Sequence, residues 1–235
     1  MTIQLDGVVV STTMRTPGHD FELAVGYCHT EGLLAGEPVD AIRYCGTGSA
    51  AATEFNVVTV ETGGRAPVPA PRLTATSSSC GWCGSEQLDE LAERLAPLDT
   101  AEPFGLDVLA GAPEAVRARQ ELFEHTGAVH AAAAFARDGE VLLVREDVGR
   151  HNAVDKVVGA MLLDGALPAA DRGLFVSGRA SVEMVQKAWA AGFGTVVAVS
   201  APTALAVETA RRANIVLAGF VNGDRLNVYA PERLR

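Results

Sequence analysis

The sequence predicts an α/β protein whose main sheet is largely parallel. From residue 129 onward, short apolar runs alternate with helical segments of about ten residues, and this alternation is typical of helices packed on the faces of a parallel sheet. The apolar runs are rich in β-branched residues and are bounded by turn residues, as buried strands are. With 235 residues, of which 48% are hydrophobic, the chain is long enough to bury a sizeable core.

The first 62 residues predict a smaller α+β part. Turn residues at 15–20 lead into an apolar stretch with Asp20 as its candidate N-cap, and Gly32 or Gly36 is expected to end that helix. The expected elements are a strand at Val8–Met14, a helix containing Leu23, Ala24, Tyr27 and Leu34, and strands at Ala41–Cys45 and Phe55–Val60.

A linker and a loop over residues 63–84 are expected to join this part to an α/β domain of residues 85–235. Gly63–Pro71 contains two glycines and three prolines, which interrupt regular structure. The expected helices of the domain are Ser85–Leu95, Pro113–Thr126, Asn152–Leu163, Val182–Ala191 and Ala204–Arg212. The expected strands are Ala131–Phe135, Val141–Val144, Leu174–Val176, Thr195–Val199, Ile215–Gly219 and Leu226–Tyr229.

Composition argues against several classes of protein. The net charge of -10, from 19 Lys+Arg and 29 Asp+Glu, argues against a general binder of nucleic acid or of an anionic membrane. No apolar run reaches the roughly 18 residues that a spanning helix needs, and the N-terminus lacks the features of a signal peptide. Four cysteines in this length do not make a secreted disulfide scaffold, so the cytoplasm is the expected compartment.

Small, polar and charged residues follow four of the predicted strands. Open α/β sheets bind ligands at the carboxyl ends of their strands, and helix starts with free N–H groups favour anions. A phosphorylated or nucleotide-like ligand is therefore expected, and the candidate phosphate contacts are Arg145, Arg150, Arg179 and Arg225.

Each of these residues also has a purely structural interpretation. Small and hydroxyl residues commonly cap helices and turns. Arg145 has acidic neighbours with which it can pair on the surface, and a single histidine such as His151 or His130 is more often structural than catalytic. The combination of four loops at one edge of a sheet favours a site.

Cys80 and Cys83 stand three positions apart in Thr76–Gly84, after a run of hydroxyl residues and between glycines. Two thiols are half of a structural zinc site, and Cys28 and Cys45 lie singly in apparent core segments. A zinc deaminase would have a Glu two residues after His130 and a proline in place of Ser79.

Redox chemistry of the thioredoxin type would place the pair directly after a strand, whereas the segment before Cys80 is rich in Pro and Ser. The remaining use is a thiol that acts as a nucleophile and passes a group on.

Seven blocks of the sequence carry a family resemblance: Met14–Asp20, Ser78–Gly84, Arg145–Lys156, Ser177–Arg179, Glu183–Lys187, Ser200–Thr203 and Asn227–Tyr229. Together they resemble the formate dehydrogenase accessory sulfurtransferase (FdhD) family. The blocks follow the family's order and span nearly the whole chain, which makes the combination highly specific.

The resemblance implies a sulfurtransferase that accepts a persulfide from a cysteine desulfurase. It would deliver the sulfur to the molybdenum (or tungsten) bis-guanine-dinucleotide cofactor of formate dehydrogenase. Cys80 would carry the persulfide, and Cys83 would be its helper or a resolving thiol. The cofactor-binding segment of the family falls on Phe220, Val221, Asn222, Gly223, Asp224 and Arg225, and Arg179, Ser200 and His151 are further candidate contacts.

The resemblance also implies a cytidine-deaminase-like three-layer α/β/α core with a mixed, largely parallel sheet, assembled as a homodimer without a tightly bound metal of its own. Met1 falls inside the family's first strand, so a short leader is expected to be missing or naturally absent, and Trp82 is a bulky residue between the cysteines. Two other functions stay open: a dithiol oxidoreductase, and a non-catalytic carrier or chaperone of the cofactor.

Overall fold

The computed structural model describes residues 1–45, 49–68, 91–99 and 103–232. The predicted Cys80–Cys83 loop and the first part of the predicted helix Ser85–Leu95 lie outside these residues, and residues 91–94 are helical.

A four-stranded sheet and one helix form the amino-terminal part. Its elements are β1 Thr2–Leu5, β2 Val8–Thr12, α1 Asp20–Thr30, β3 Ala41–Tyr44 and β4 Val57–Glu61. The strand order is β2-β1-β4-β3, with β1 parallel to β4 and the other pairs antiparallel. Ile3, Val58 and Val60 are buried against Ala24 and Cys28 of α1, which agrees with the predicted α+β part.

A six-stranded sheet organises the rest of the described chain. Its elements are α2 Leu106–Arg117, α3 Glu121–Thr126, β5 His130–Phe135, β6 Val141–Asp147, α4 Arg150–Leu163, β7 Gly173–Val176, α5 Val182–Ala191, β8 Thr195–Ala198, α6 Ala204–Ala213, β9 Val216–Asn222 and β10 Arg225–Ala230. The strand order is β10-β9-β8-β7-β5-β6.

The sheet is mixed, as predicted, but the prediction of a largely parallel sheet is wrong. Only the β7–β8 and β8–β9 pairs are parallel, whereas β5 pairs antiparallel with both β6 and β7, and β10 pairs antiparallel with β9. Two hairpins cause the difference, because a short turn returns the chain beside the strand that it leaves.

Helices cover both faces of this sheet. Along β7, Leu174 and Val176 belong to a buried cluster with α4, α5 and α6, whereas Phe175 belongs to a second cluster with α2. Successive side chains of a strand point to opposite faces, so the alternation places α2 across the sheet from the other three helices.

Several predicted boundaries are wrong. β1 was not predicted as a separate strand. The helix predicted at Pro113–Thr126 is two helices, α2 and α3. Leu109, Ala112 and Val116 bury one face of α2, and Pro113 lies inside this helix rather than at its start. Asp20 is the first residue of α1 instead of its N-cap, and α1 ends at Thr30, before Gly32.

α1 and α4 cross at unusually close range. A Cβ at Gly26 would lie 1.9 Å from the carbonyl oxygen of Asp155, and one at Gly159 would lie 1.8 Å from that of Glu22. Lys187 of α5, fully buried, donates to both carboxylate oxygens of Asp155 at 2.8 and 3.0 Å and to Thr30 Oγ1 at 2.9 Å. The amino-terminal helix is thus packed into the helical layer of the larger sheet, and the domain boundary near residue 62 stays a prediction.

Candidate functional site at the carboxyl edge of the sheet

The carboxyl ends of β6, β7, β8 and β9 lie at one edge of the six-stranded sheet. β7, β8 and β9 are parallel, and β6 points the same way because β5 is antiparallel to both β6 and β7. The amino ends of β5 and β10 lie at the same edge. The predicted loops therefore do converge, and we call this region the carboxyl edge.

Direct contacts join the four segments in order. A Cβ at Gly178 would lie 3.6 Å from both Arg150 Cδ and His130 Nδ1, which places the loop after β7 against the start of α4. Thr203 N donates to the Ala180 carbonyl at 3.0 Å, and Phe220 N donates to the Ser200 carbonyl at 3.2 Å. The edge is one continuous surface of backbone and polar side chains.

The guanidinium groups of three arginines at this edge make no hydrogen bond, ion pair or ring contact with any described residue: Arg150, Arg179 and Arg225. The other arginines of the described segments are engaged with carboxylates, carbonyl oxygens or aromatic rings. Arg179 and Arg225 are exposed and Arg150 is half-buried. Unpaired guanidinium groups gathered at strand ends suit an anionic ligand.

Arg145 is not part of this set, which corrects its prediction as a phosphate contact. Its Nε and Nη2 donate to the Glu22 carboxylate at 2.5 and 2.8 Å. Because this bidentate ion pair ties β6 to α1, Arg145 has a structural role.

Asp147 anchors the turn between β6 and α4 to the loop at residues 13–19. The buried Asp147 carboxylate accepts from Thr16 N at 3.1 Å, from Gly149 N at 2.8 Å and from Asn152 Nδ2 at 2.9 Å, and it pairs with Lys156 Nζ at 2.7 Å. Lys156 also donates to the Thr16 carbonyl at 3.0 Å. The two blocks Met14–Asp20 and Arg145–Lys156 therefore hold each other in place and leave Arg150 and His151 at the edge.

The imidazoles of the edge are kept neutral. Burial, followed by the charges of Arg150 and Lys187, lowers the pKa of His151 from 6.5 to about 4. Burial and then Arg150 also lower the pKa of His130. Neutral rings offer one donor and one acceptor each, so both histidines fit hydrogen bonding better than charge pairing.

Four buried polar atoms near the starts of α4 and α5 have no hydrogen-bond partner among the described residues: Arg150 Nε, Ser181 Oγ, Glu183 Oε2 and Gln186 Oε1. Ser181 is the N-cap residue of α5, yet its hydroxyl does not cap the helix. Thr203, by contrast, caps α6 by accepting from Ala206 N at 3.2 Å. Unsatisfied groups are uncommon in folded proteins and tend to mark functional positions.

The predicted cofactor segment Phe220–Arg225 is a hairpin instead of a loop that follows a strand ending at Gly219. β9 continues through Asn222, Gly223 and Asp224 form the turn, and Arg225 begins β10. Phe220 has a left-handed backbone, with φ of 53°, and is 49% exposed. Such strain in a bulky residue is held by the surrounding structure and is typical of functional sites.

Two of the four cysteines, Cys28 and Cys45, lie among the residues that the structure describes. Cys80 and Cys83 lie outside the described residues. Cys28 and Cys45 are buried, and burial, with the charge of Asp155, raises the pKa of Cys28 to about 12. A thiol that stays protonated is a poor nucleophile, so Cys28 fits the predicted core role.

Sequence reasoning missed the place of His130 at this edge. The His130 ring lies 3.5 Å from Ser177 Oγ, at the amino end of β5. Only the antiparallel placement of β5 beside β7 brings the start of one strand to the end of the other, and the predicted turn at Arg137–Gly139, which joins β5 to β6, is the local signal of that direction. No helix in the described part of the chain is long and apolar enough to cross a bilayer.

Comparisons with known proteins point to the same family as the seven blocks of the sequence that carry the resemblance. The model of the FdhD/NarQ family matches residues 1–235. The chain is 44% identical over 242 residues to the sulfur carrier protein FdhD of Corynebacterium efficiens, covering 99% of this chain and 87% of that one. It is 45% identical over 241 residues to the protein of the same name from Nocardia farcinica, covering 100% and 86%.

A solved structure supports the same relationship. The crystal structure of a putative formate dehydrogenase accessory protein from Desulfotalea psychrophila superposes with a TM-score of 0.73 at 26% identity, covering 100% of this chain and 87% of that one. The whole length of this chain, with both its sheets, thus has a counterpart in that structure. On these matches, the chain belongs to the FdhD/NarQ family.

Proposed function

We propose that this protein is a sulfurtransferase that carries sulfur as a persulfide on Cys80. The sulfur comes from a cysteine desulfurase and goes to the molybdenum (or tungsten) bis-guanine-dinucleotide cofactor that formate dehydrogenase requires. The names of the relatives support sulfur carriage in general. The observation that carries the ligand assignment is the set of three unpaired arginines at the carboxyl edge, Arg150, Arg179 and Arg225.

The first step is a thiol exchange. The Cys80 thiolate attacks the outer sulfur of the persulfide on the desulfurase, the sulfur–sulfur bond breaks, and the cysteine thiolate of the desulfurase leaves. Cys80 then holds one additional sulfur. Cys28 cannot replace it, because burial raises the pKa of Cys28 to about 12.

The second step delivers the sulfur to the bound cofactor. The outer sulfur of a persulfide needs two electrons to become sulfide. Cys83 can supply them by attacking the Cys80 sulfur, which forms a Cys80–Cys83 disulfide and releases sulfide to the metal. An external thiol then reduces the disulfide. In this scheme Cys83 is the resolving thiol.

The carboxyl edge would hold the cofactor through its phosphates and sugar groups. Arg179 and Arg225 are exposed, so phosphate oxygens can approach their guanidinium groups directly. Ser200 and the neutral His151 would supply hydrogen bonds, and Phe220–Arg225 would lie along the ligand. The cytidine-deaminase-like layering, the homodimer and the cytoplasmic location are further parts of this proposal.

Persulfide formation is tested by incubating the reduced protein with a cysteine desulfurase and cysteine, followed by mass spectrometry of the Cys80 peptide. We expect one added sulfur on Cys80 and none on Cys28 or Cys45. Cys80→Ser is the matched control and should abolish the modification. If Cys80 stayed unmodified in an assay in which the desulfurase transfers sulfur to another acceptor, the proposal would be contradicted. Full activity of Cys83→Ala would remove both the resolving step and a dithiol oxidoreductase cycle.

Cofactor binding is tested separately, with GDP as a probe of the guanine-dinucleotide end. Loss of a hydrogen bond to a charged group costs about 1.5–3 kcal/mol, so Arg179→Ala and Arg225→Ala should each weaken GDP binding about ten-fold or more. Arg212→Ala is the control, because Arg212 pairs with Glu208 on α6 at 3.2 Å. Unchanged GDP affinity in both edge variants would contradict the assignment. Full rescue of formate dehydrogenase by a variant lacking both cysteines would instead favour a non-catalytic carrier.

A further inference from the structure

A cavity of about 420 Å³ opens where α1 and α5 end, beside the helical residues 91–94. We call it the α1–α5 cavity. Because α5 connects the parallel strands β7 and β8, it starts at the carboxyl edge and ends at the opposite edge of the sheet. Ala190, which lines the cavity, is in the last turn of α5, and none of the cofactor contacts named above lines it. A volume of this size suits a small organic ligand.

Gln186 is the residue that points to a ligand. It lies on α5 one helical turn before Ala190, lines the cavity and is only 4% exposed. Its Oε1 is a buried acceptor without a hydrogen-bond partner among the described residues. Buried amide oxygens normally accept a hydrogen bond, so this oxygen indicates that a ligand supplies the donor.

His29 of α1 offers a second acceptor to the same cavity. Its Nε2 lies 3.1 Å from the Ala190 carbonyl oxygen, which can only accept, so Nε2 carries the ring proton. Burial lowers the pKa of His29, and the hydrogen bond to Ala190 opposes this shift. The neutral ring keeps Nδ1 as an acceptor. Since α1 and α5 both end here, the negative ends of their dipoles also favour a positively charged donor such as an ammonium group.

Arg94 gives the cavity a positive charge where it meets solvent. This arginine is exposed, lines the cavity and donates from Nη2 to the Glu31 carbonyl at 3.2 Å. A Cβ at Gly32 would overlap the guanidinium, so the glycine lets Arg94 lie against the end of α1. No described carboxylate pairs with Arg94. The remaining N–H groups of its planar fork suit the carboxylate of a ligand.

Aliphatic side chains form much of the remaining wall: Leu34, Ala35, Leu91, Leu95 and Ala190. Thr30 also lines the cavity, but its hydroxyl donates to Asp155 at 2.8 Å and accepts from Lys187 at 2.9 Å. Thr30 and Lys187 are thus already engaged within the protein. A ligand that uses every free part of this wall carries an ammonium group, a carboxylate and an apolar side chain.

We propose that the α1–α5 cavity binds a free apolar α-amino acid. Gln186 Oε1 and His29 accept from its ammonium group, Arg94 holds its carboxylate, and the leucines surround its side chain. A peptide amino terminus would leave Arg94 without its carboxylate, because only a free amino acid carries both charged groups on one carbon. The assignment does not depend on the proposed sulfur transfer.

Isothermal titration calorimetry of the full chain with L-leucine tests the assignment. Two analogues each remove one charged group: L-leucinamide has no carboxylate, and 4-methylpentanoate has no ammonium. A hydrogen bond to a charged group is worth enough that each analogue should bind about ten-fold or more weakly than L-leucine. L-leucinamide also represents a peptide amino terminus, so it separates that source of the ligand from a free amino acid.

Two variants should divide the analogues in opposite ways. Gln186→Leu should weaken L-leucine and L-leucinamide about ten-fold or more and leave 4-methylpentanoate unchanged. Arg94→Met should weaken L-leucine and 4-methylpentanoate and leave L-leucinamide unchanged. Arg119→Met is the matched control, because Arg119 is likewise exposed and donates to a backbone carbonyl, that of Val141, outside the cavity.

Three results would overturn the assignment. The first is the absence of L-leucine binding to the wild type. The second is binding of both analogues as tightly as L-leucine, which would mean that neither charged group is recognised. The third is an unchanged affinity for L-leucine in both Gln186→Leu and Arg94→Met while their urea unfolding midpoints match the wild type. Persulfide formation on Cys80 is measured separately, so its failure with intact L-leucine binding would remove only the proposed function.

Discussion

At the scale of single residues, the carboxyl edge separates charges that build the fold from charges left for a ligand. Asp147 and Lys156 satisfy each other inside the protein, and Arg145 is occupied by Glu22. Arg150 has no such partner among the described residues, although its Nε is buried. A buried charge without its partner costs several kcal/mol, so loss of either Asp147 or Lys156 would destabilise the fold.

His151 makes the stability of the protein depend on pH. Its pKa is about 4 in the folded chain against 6.5 ordinarily, so the native ring stays neutral while the unfolded chain takes up a proton as pH falls from 6.5 to 4. The contribution is therefore fully present above pH 6.5 and declines below it. At 1.36 kcal/mol per pKa unit, the decline is at most about 3 kcal/mol.

Urea unfolding of the wild type and of His151→Gln, measured between pH 7 and pH 4, tests this expectation. The variant should lose less stability than the wild type over this range. An NMR titration of the His151 ring provides the direct check, and a midpoint near 6.5 would contradict the neutral, buried imidazole.

At the scale of elements, the α1–α4 crossing decides where the amino-terminal part sits. Gly26 and Gly159 let the two backbones approach to a distance that no side chain permits. The sequence shows both glycines inside helical patterns, where glycine is ordinarily unfavourable. The packing that requires glycine at both positions becomes visible only in the structure, where α1 and α4 lie against each other.

Gly159→Ala is expected to destabilise the protein by at least about 2 kcal/mol, because its Cβ would overlap the Glu22 carbonyl oxygen at 1.8 Å. The matched control is Gly111→Ala in α2, where a Cβ would have no neighbour within 4 Å. This second variant should be stabilising by about 0.5–1 kcal/mol, because alanine is the better helix former. Thermal or urea unfolding measures both, and equal effects of the two substitutions would refute the close crossing.

At the scale of the whole molecule, the two sheets are tied together through a buried network. Lys187 joins α5 to Asp155 of α4, to Thr30 at the end of α1 and to Glu31 directly after it, at distances from 2.8 to 3.1 Å. Burial opposes the charge on Lys187, but the carboxylates of Asp155 and Glu31 outweigh it and raise its pKa. If the amino-terminal part unfolded while the six-stranded sheet and its helices stayed folded, Lys187 would lose its partners Thr30 and Glu31.

We therefore expect a single unfolding transition for the full chain. Calorimetry should give equal calorimetric and van't Hoff enthalpies, as for a two-state protein. Lys187→Met, which leaves Asp155 buried without its cation, should lower stability by about 3–5 kcal/mol. Two separate transitions in the wild type would instead mean that residues 1–62 unfold as an independent domain.

The sequence by itself determined the element types and the region of the candidate site. The helix Val182–Ala191 was predicted at its observed bounds, because a serine start, an apolar stripe and a glycine end are all local signals. The convergence of the loops after β6, β7, β8 and β9 also followed from the sequence, since residues at the ends of parallel strands share an edge.

Tertiary structure alone decided which residues at that edge are free. Arg145 and Arg150 look alike in the sequence, yet Glu22, more than a hundred residues away, occupies one and leaves the other unpaired. The reversal of β5 brought His130 to the edge. Local patterns specify helices and strands, whereas the partners of a charged side chain depend on which distant segments the fold brings beside it.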